Sequence, residues 1–428
     1  MKRVFLSLPN LDGHRQVYCR ELCGYLLSRD FSVTVATDLT GLQEYAQLEM
    51  LTQHPRVRFV PDTWTKEDRA TVQLRALVAA AREAAADVTF LAEADLAHGL
   101  LSAQIARPRQ RLPGRRVGLF IRSTNYVHQV KYPQTGRVGR VIERPVLAAY
   151  GYSPLSLTQP RLFHEVVVSH FAVLDAALCL DEVFVTAHGG RYGWLPDVAV
   201  ASAERAQGST EAAAWEAEVS AFMATQSGRP VVVYTGTPQP RRGYEALLQL
   251  ACDVGGCFIH CGKPSDSFGY PDEDLGARAA LASRSAILEF GGFYQSFETA
   301  RVTLGAAKCV VLPYAAHLGS SGVMLQSLMA GRPVLVPDQG LMAWRVRNFG
   351  LGLTFAPGDW RDMRYRFSVL QNTPSEVFAD RIGRFLAYFS RTQFETAMDV
   401  ALGLRRVAAQ LPSAEEIGPG GTLLGYRS

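Results

Sequence analysis

The sequence predicts an α/β protein of two domains, each built on a parallel sheet wrapped by helices. Its 428 residues exceed what one hydrophobic core usually organises. Short apolar runs alternate with helical patterns along most of the chain, which is typical of βαβ units. The alternation pauses over residues 201–227 and then starts again. We therefore place the domain boundary at this pause.

Composition excludes several classes of protein. Apolar residues make up 48% and charged residues 20% of the chain, and the net charge of +4 is too small to indicate a nucleic-acid partner. The seven cysteines form no CxxC pair or zinc-like cluster, so we expect reduced thiols in a cytoplasmic protein. The first apolar run ends at Pro9, too early for a signal peptide. No stretch approaches the roughly 20 apolar residues that span a bilayer.

The predicted elements repeat in both halves of the chain. In the first half we expect helices at 15–28 and 71–86, and strands at 4–8, 31–36, 57–60, 88–91, 117–121 and 183–186. In the second half we expect helices at 244–253 and 323–330, and strands at 231–234, 257–260, 286–290, 309–312 and 333–336. Beyond about residue 375 the pattern is helical as far as residue 409.

Residues 234–243 have the pattern of an anion-binding loop. They follow a strand and open a helix, and Gly236 and Gly243 let the backbone approach a ligand. The amides at a helix start carry partial positive charge, and Arg241 or Arg242 adds a full charge that suits a diphosphate. The alternative is an ordinary turn with solvated arginines.

Residues 312–322 again run from a strand through a loop of small residues to a helix start. In an open parallel sheet, both loops would lie at the carboxyl ends of their strands, where ligands bind. The amides and hydroxyls of Ser320 and Ser321, together with Gly322, would then receive phosphate or sugar oxygens. The alternative is that the two serines only cap the helix.

In this order, the motifs resemble those of the donor-binding domain of retaining GT-B glycosyltransferases of family GT4. Residues 236–243 are similar to the family's glycine-plus-basic loop, in which Arg242 takes the place of the residue that binds the donor phosphates. Residues 261–263, which end with Lys263, stand where the family has a strand ending in glycine. Residues 290–293, which end with Phe293, are similar to the family's segment that packs on the nucleotide base. Residues 325–334 are similar to the family's Leu-Glu-Ala-Met-Ala-x-Gly-x-Pro-Val signature.

The first half is similar to the family's acceptor domain. Asp12, Gly13 and His14 stand at its usual opening, and we expect them to bind the acceptor together with His98, for which a structural role is the alternative. The resemblance implies a GT-B fold, α/β with two Rossmann-like domains facing across a cleft. Residues 1–200 would form the acceptor domain, on which helices at about 378–410 pack, and residues 201–377 the donor domain.

The sequence departs from the family at several positions. The family's two glutamates fall on Leu318, which cannot replace a carboxylate, and on Gln326, whose amide still offers a donor and an acceptor to ribose hydroxyls. Thr237 stands where an arginine is common. The acceptor-domain histidine is not evident, and Arg122, at a strand end in that region, would donate to the departing diphosphate or to an anionic acceptor. A surface arginine is the alternative.

The resemblance implies a hexosyltransferase-type enzyme, typical of bacterial polysaccharide biosynthesis, that moves a sugar from a nucleotide-diphosphate sugar to a hydroxyl with retention. Donor binding would involve Gly236, Thr237, Arg241, Lys263, Phe293, Ser320, Ser321, Gly322 and Gln326, with Arg242 and Arg122 acting on the leaving diphosphate. We expect no metal or other cofactor. The acidic triplet at 272–274 is similar to a metal-binding DxD motif, but it opens a helix, where acids favour the dipole. A non-catalytic binder of nucleotide-sugar or glycan and a nucleotide-sugar epimerase are the alternatives.

Charge is concentrated between residues 106 and 145, where ten basic residues meet one glutamate. This basic segment would attract an anionic membrane surface, a lipid-diphosphate acceptor or an acidic glycan. We expect a cytoplasmic protein with peripheral contact at the inner membrane face. A solvated loop is the alternative.

Overall fold

The structure is a computed structural model that describes residues 1–11, 15–40, 42, 48–62, 70–121, 168, 171–187, 192–198, 210–262, 276–290, 297–315, 317–406 and 411–412. The chain divides into two compact units. The first holds Met1–Lys131, Arg137–Ala201 and Phe389–Leu411, and the second holds Tyr132–Gly136, Ser202–Tyr388 and Pro412–Ser428. The C-terminal return to the first unit thus begins at Phe389, later than the expected residue 378.

The first unit is built on a parallel sheet. Its described strands lie in the order β3-β2-β1-β4-β5-β6-β7. Leu6 on the first strand pairs with Val35 on one side and Phe90 on the other, and all three are fully buried. Strands covered on both faces read as continuous apolar runs, which is why this half of the sequence predicts a parallel sheet. The strands are β1 (Lys2–Ser7), β2 (Phe31–Thr37), β3 (Val57–Pro61), β4 (Val88–Leu91), β5 (Arg115–Phe120), β6 (Ala176–Cys179) and β7 (Tyr192–Trp194).

One predicted strand of this unit is wrong. Residues 183–186 lie in a helix, because the carboxylate of Asp181 accepts hydrogen bonds from the amides of Val183 and Phe184, both at 3.0 Å. This N-cap outweighs the strand preference of the β-branched residues that follow. The helices described up to this point are α1 (Arg15–Ser28), α2 (Glu49–Thr52), α3 (Ala70–Glu83), α4 (His98–Ala106) and α5 (Glu182–Ala187).

The second unit has two parallel sheets of three described strands each, in the orders β10-β9-β8 and β11-β12-β13. β11 lies beside β8. The chain therefore builds outward in one direction from β8 and in the other from β11, so the strand order reverses between them. The strands are β8 (Val231–Thr235), β9 (Cys257–Cys261), β10 (Ile287–Phe290), β11 (Val310–Val311), β12 (Val334–Pro337) and β13 (Gly352–Phe355).

The helices of the second unit cover these strands. The fully buried Trp215 donates to the hydroxyl of Thr303 at 2.9 Å and packs on the ring of Phe290, so helix α6 is fixed to the sheet. No helix within the described ranges is both long and apolar enough to cross a membrane. The remaining helices are α6 (Thr210–Thr225), α7 (Tyr244–Asp253), α8 (Gly276–Ser283), α9 (Phe297–Ala306), α10 (Gly322–Met329), α11 (Gly340–Phe349), α12 (Trp360–Asn372), α13 (Glu376–Ala387) and α14 (Arg391–Ala401).

Helix α14 returns to the first unit and joins its core. Phe394 and Met398 are buried there against α1. The carboxylate of Asp399 accepts from the hydroxyl of Tyr25 at 2.6 Å and from the guanidinium of Arg29 at 2.8 Å. The last helix of the chain is thereby part of the first unit's fold.

Replacing Phe394 with alanine should destabilise the first unit by roughly 3–5 kcal/mol, because it leaves a cavity in a packed core. Chemical denaturation measures this loss, with Met50→Ala as the control because that side chain in the same unit is 84% exposed. Equal stability of the two variants would show that α14 does not support the core.

Candidate functional site

Two loops of the second unit meet where its strand order reverses. One follows β8 and the other follows β11, and the amide of Ala315 donates to the carbonyl of Arg241 at 2.8 Å. Gly243 has φ of +69°, and a Cβ there would lie 2.6 Å from Pro313. Only glycine fits this left-handed position at such close approach. The carboxyl ends of strands at such a reversal are where α/β sheets bind ligands.

The first loop, residues 236–243, leads directly into α7. The hydroxyl of Tyr234 donates to the carbonyl of Thr237 at 2.7 Å and fixes the start of the loop. Residues Pro240–Arg242 form one 3₁₀ turn, and Gly243 is the N-cap of α7. The first amides of a helix have no partner within it, so this loop presents free donors together with two arginines.

The guanidinium of Arg242 lies between two tyrosines. Its central carbon is 5.8 Å from the ring centre of Tyr234 and 5.5 Å from that of Tyr314, and Nη2 donates to the hydroxyl of Tyr314 at 3.3 Å. No ion pair found among the described residues involves Arg242. The tyrosines hold the cation in place without neutralising it, so its charge remains available to an anion.

The second loop, residues 312–321, is fixed at several points. Nη1 of Arg345, whose side chain is fully buried on α11, donates to Oγ of Ser320 at 3.0 Å. The Leu318 carbonyl accepts from the Leu341 amide at 2.8 Å. Oγ of Ser321 accepts from the Met324 amide and caps α10. The capping role proposed as an alternative for Ser321 is therefore present in the structure.

His317 stands in the second loop beside the arginines of the first. Its Nε2 lies 3.0 Å from the Ser320 carbonyl, which can only accept, so this nitrogen carries the proton and donates. Burial lowers the pKa of His317 to about 4, an effect that the Ser320 carbonyl opposes and that the charges of Arg241 and Arg242 reinforce. The ring is thus neutral near pH 7, and Nδ1 is an acceptor.

The structure brings together most donor-site residues that the sequence predicts. Gly236, Thr237, Arg241 and Arg242 lie in the first loop, Ser320 and Ser321 lie in the second, and Gly322 is the first residue of α10. Gln326 is half-buried one turn into α10. The acidic triplet at 272–274 and the side chain of His98 lie outside the part of the chain that the structure describes. The same holds for six other predicted site residues: Asp12, Gly13, His14, Arg122, Lys263 and Phe293.

Sequence reasoning missed four side chains that shape this site: Tyr234, Tyr314, His317 and Arg345. Tyr234 and Tyr314 each stand at or just beyond a strand end, and aromatic residues in those places are a signal that sequence reading could have used. His317 lies within a loop that the sequence did single out. Arg345 lies on a helix without any motif, and only its burial reveals it.

The first unit also has a strand reversal, between β1 and β4. Nε of Arg15, just after the predicted acceptor-binding residues, donates to the Glu93 carboxylate at 2.7 Å, and Nη1 donates to the side chain of Asn10. Both Arg15 and Glu93 are buried, at 9% and 4% exposure. The edge expected to receive the acceptor therefore has a buried ion pair, which the sequence did not reveal.

Comparisons with known proteins show the fold. No protein-family model matches the chain, and no curated protein matches it in sequence. Sucrose-phosphate synthase from Thermosynechococcus elongatus is 13% identical, with a TM-score of 0.62 over 94% of this chain and 99% of that one. HepE from Anabaena, solved with UDP, is 13% identical, with a TM-score of 0.58 over 95% of this chain and 100% of that one.

A third similar structure is WaaG, a glycosyltransferase involved in lipopolysaccharide biosynthesis. It is 12% identical, with a TM-score of 0.55 over 94% of this chain and 99% of that one. These matches extend over nearly the whole chain and all have the GT-B architecture. The predicted α/β GT-B fold class is therefore confirmed.

Replacing Arg242 with methionine should weaken pyrophosphate binding roughly ten- to hundredfold, because a hydrogen bond to a charged group contributes about 1.5–3 kcal/mol. Methionine keeps an apolar chain between the two tyrosines, so the melting temperature should change little. Isothermal titration calorimetry measures the affinity, with the exposed Arg361→Met as the matched control. A large loss of stability with unchanged affinity would assign Arg242 a structural role.

The pH dependence of stability should report on His317. Its pKa in the folded protein, about 4, is below its ordinary value of 6.5, so the unfolded chain takes up the proton first as pH falls. The stability that neutral His317 contributes is present above pH 6.5 and is lost as pH falls towards 4. Denaturation across this window should show a smaller loss for His317→Gln than for the unmodified protein. Identical profiles would contradict the assignment.

Proposed function

We propose that this protein is a glycosyltransferase that takes its sugar from a nucleotide-diphosphate donor and transfers it to a hydroxyl group. The observation that carries the proposal is Arg242, a cation held by two tyrosines at the strand reversal of the second unit. Two loops converge there, each leading to a helix N-terminus. A diphosphate is the group whose charge and size match such an arrangement.

The structural comparison supports a nucleotide-sugar as the donor. HepE, whose fold is similar, has been solved with UDP-glucose. We infer that the diphosphate lies between the two loops of the second unit, against Arg242 and the amides that begin α7 and α10. Thr237, Arg241, Ser320 and Gln326 would complete the donor site, together with Lys263 and Phe293, which the resemblance to the family assigns to donor binding.

The proposed reaction needs little from the protein besides positioning and charge. As the bond from the sugar to the diphosphate breaks, negative charge grows on the departing phosphate oxygens, and Arg242 with the loop amides stabilises it. The departing diphosphate takes the proton from the acceptor hydroxyl, so no protein base is required. We propose retention at the anomeric carbon and no metal requirement, in keeping with the resemblance to GT4 enzymes.

The acceptor belongs to the first unit in this proposal, with Asp12, Gly13, His14 and His98 as its ligands. Arg122 would donate to the departing diphosphate or to an anionic acceptor. The exposed arginines at 107, 109 and 111 favour an acidic glycan or a lipid-linked acceptor, since they have no ion-pair partner among the described residues. They also favour peripheral contact with an anionic membrane from the cytoplasmic side.

A second candidate function is a GT-B protein that binds nucleotide-sugar or glycan without turnover. Leu318 is the observation that favours it, because this position carries a carboxylate in the enzymes that the chain resembles. Its carbonyl accepts from the Leu341 amide at 2.8 Å, and its aliphatic side chain offers no charge to a donor sugar. Turnover distinguishes this candidate from the first.

A screen of nucleotides and nucleotide-sugars should reveal the donor. We expect one nucleoside diphosphate, and its sugar conjugate, to raise the melting temperature, because a ligand that binds only the folded state stabilises it. Assays with varied hydroxyl acceptors should then detect release of that diphosphate. Stabilisation without release would favour the non-catalytic binder, and no stabilisation by any nucleotide would contradict the donor site.

The same assay with excess EDTA is its control for metal. Activity should be unchanged, because the arginine and the loop amides supply the charge that a metal would otherwise supply. Loss of activity on chelation, restored by Mg²⁺ or Mn²⁺, would instead assign a metal to the acidic triplet at 272–274.

A further inference from the structure

A buried histidine lies behind the first loop and contacts its backbone. His260, on β9, is 1% exposed, and its Nε2 is 3.0 Å from the carbonyl oxygen of Gly236. A carbonyl can only accept, so Nε2 carries a proton and donates to it. A polar side chain with so little contact with solvent is expected to serve a specific partner, and here that partner is the loop.

The other side of the imidazole faces a carboxylate. Nδ1 of His260 lies 3.6 Å from Oε1 of Glu289, on the neighbouring strand β10. Glu289 is in turn held by the guanidinium of Arg278, at 2.5 Å, and by the hydroxyl of Tyr244, at 3.3 Å. The side chains of Arg278, Glu289 and His260 thus form a continuous series of contacts that ends on the Gly236 carbonyl.

This carboxylate stays ionised. Burial raises the pKa of Glu289, but the opposing contacts with His260 and Arg278 hold it at about 2. The rings of Tyr234 and Tyr244 stand edge-on to the imidazole, with centroids 5.5 and 5.4 Å away. The histidine therefore has one orientation, fixed by charge on one side and by aromatic packing around it.

Fixing the Gly236 carbonyl also fixes the next amide. In a planar trans peptide the C=O and the following N–H point in opposite directions, so the N–H of Thr237 points away from His260. β9 lies on one side of β8 and β11 on the other. The Thr237 N–H consequently points towards the side on which the second loop lies. No hydrogen bond within the described ranges uses this N–H.

Close packing keeps the carbonyl in this place. Gly236 donates its own amide to the Cys261 carbonyl at 2.8 Å, and the backbone of Gly262 approaches Gly236 so closely that a Cβ at 262 would overlap it. The Thr237 carbonyl is held by Tyr234, and residue 238 is a proline without an N–H. Thr237 is therefore the loop residue whose amide direction His260 determines.

We propose that His260 is a positioning residue for the donor: supported by Glu289, it holds the Gly236 carbonyl inward and thereby directs the Thr237 amide at the donor's diphosphate. The inference rests on the proposed function of the same loop, and it adds that the anion affinity of the loop is set by side chains that touch no ligand. It assigns a role to residues of β9 and β10, which lie behind the site.

The test compares four variants by calorimetric titration with UDP and with pyrophosphate. His260→Leu removes the donor to Gly236 and should weaken binding of both probes roughly tenfold, since a correctly directed amide is lost to the anion. His260→Gln keeps an N–H that reaches the carbonyl, and its affinity should stay within about threefold of the unmodified protein. The affinity of Glu289→Gln for both probes should lie between those of His260→Leu and His260→Gln. Phe258→Leu, a buried change on the same strand, is the matched control and should bind normally.

The positioning role is supported if His260→Gln keeps the affinity that His260→Leu loses and if Phe258→Leu binds normally. General damage to the core would instead weaken binding in all three variants. A folded His260→Leu variant that binds both probes normally would overturn the inference and leave the proposed function intact. If His260→Leu does not fold, Glu289→Gln decides, since its side chain is 26% exposed and tolerates the change: weaker binding supports the inference and unchanged binding overturns it.

Titration of the unmodified protein separates this inference from the proposed function. If it binds neither pyrophosphate nor any nucleoside diphosphate, the donor site itself is wrong and the inference is overturned with it.

Hydrogen exchange supplies a second readout. Bound UDP should protect the amides of residues 234–243 from exchange, and this protection should be weaker in His260→Leu. Equal protection in both proteins would contradict the positioning role.

Discussion

The site depends on the close approach of two loops that are far apart in the chain. The hydrogen bond from the Ala315 amide to the Arg241 carbonyl joins them. Pro313 packs against Gly243 so closely that any side chain at position 243 would overlap it. This approach is a consequence of the parallel sheet, because β8 and β11 are neighbours whose carboxyl ends lie at one edge. The groups of the second unit proposed to bind the donor diphosphate belong to these two loops or to the helix starts that follow them.

The balance of charge around this approach explains why an anion is the expected ligand. Arg242 is held by two tyrosines, and Arg345 is buried beneath the second loop with Ser320 as one of its partners. Arg242 has no ion pair among the described residues, and a cation withdrawn from water is costly unless opposite charge accompanies it. His317 stays neutral beside Arg241 and Arg242, so it adds no further positive charge. An anionic ligand beside Arg242 would supply the missing negative charge.

The supporting residues lie in layers behind the loops. His260 and Glu289 stand behind the first loop, and Arg345 stands behind the second. Each is on a strand or a helix rather than in a loop, so the backbone that holds it is rigid. Loops that bind a charged ligand gain affinity when their donors point correctly before the ligand arrives.

Sequence reading predicted the fold and the two loops but not the groups that support them. Local patterns suffice for strands buried on both faces and for a glycine loop with arginines, which is why residues 236–243 were found. Arg345 contacts Ser320, 25 residues away along the chain, and His260 contacts Gly236, 24 residues away. A local sequence pattern does not encode contacts over such separations. The strand predicted at residues 183–186 is wrong for a different reason. A single capping side chain, Asp181, outweighs the strand preference of these residues.

The most direct test of the central claim is a crystal structure of the protein with the nucleoside diphosphate that binds it. We predict that the diphosphate oxygens lie about 3 Å from the Arg242 guanidinium and from the Thr237 amide nitrogen, within hydrogen-bonding distance. The diphosphate would then touch both loops of the second unit. A nucleotide bound elsewhere, with Arg242 still packed only against Tyr234 and Tyr314, would contradict the account.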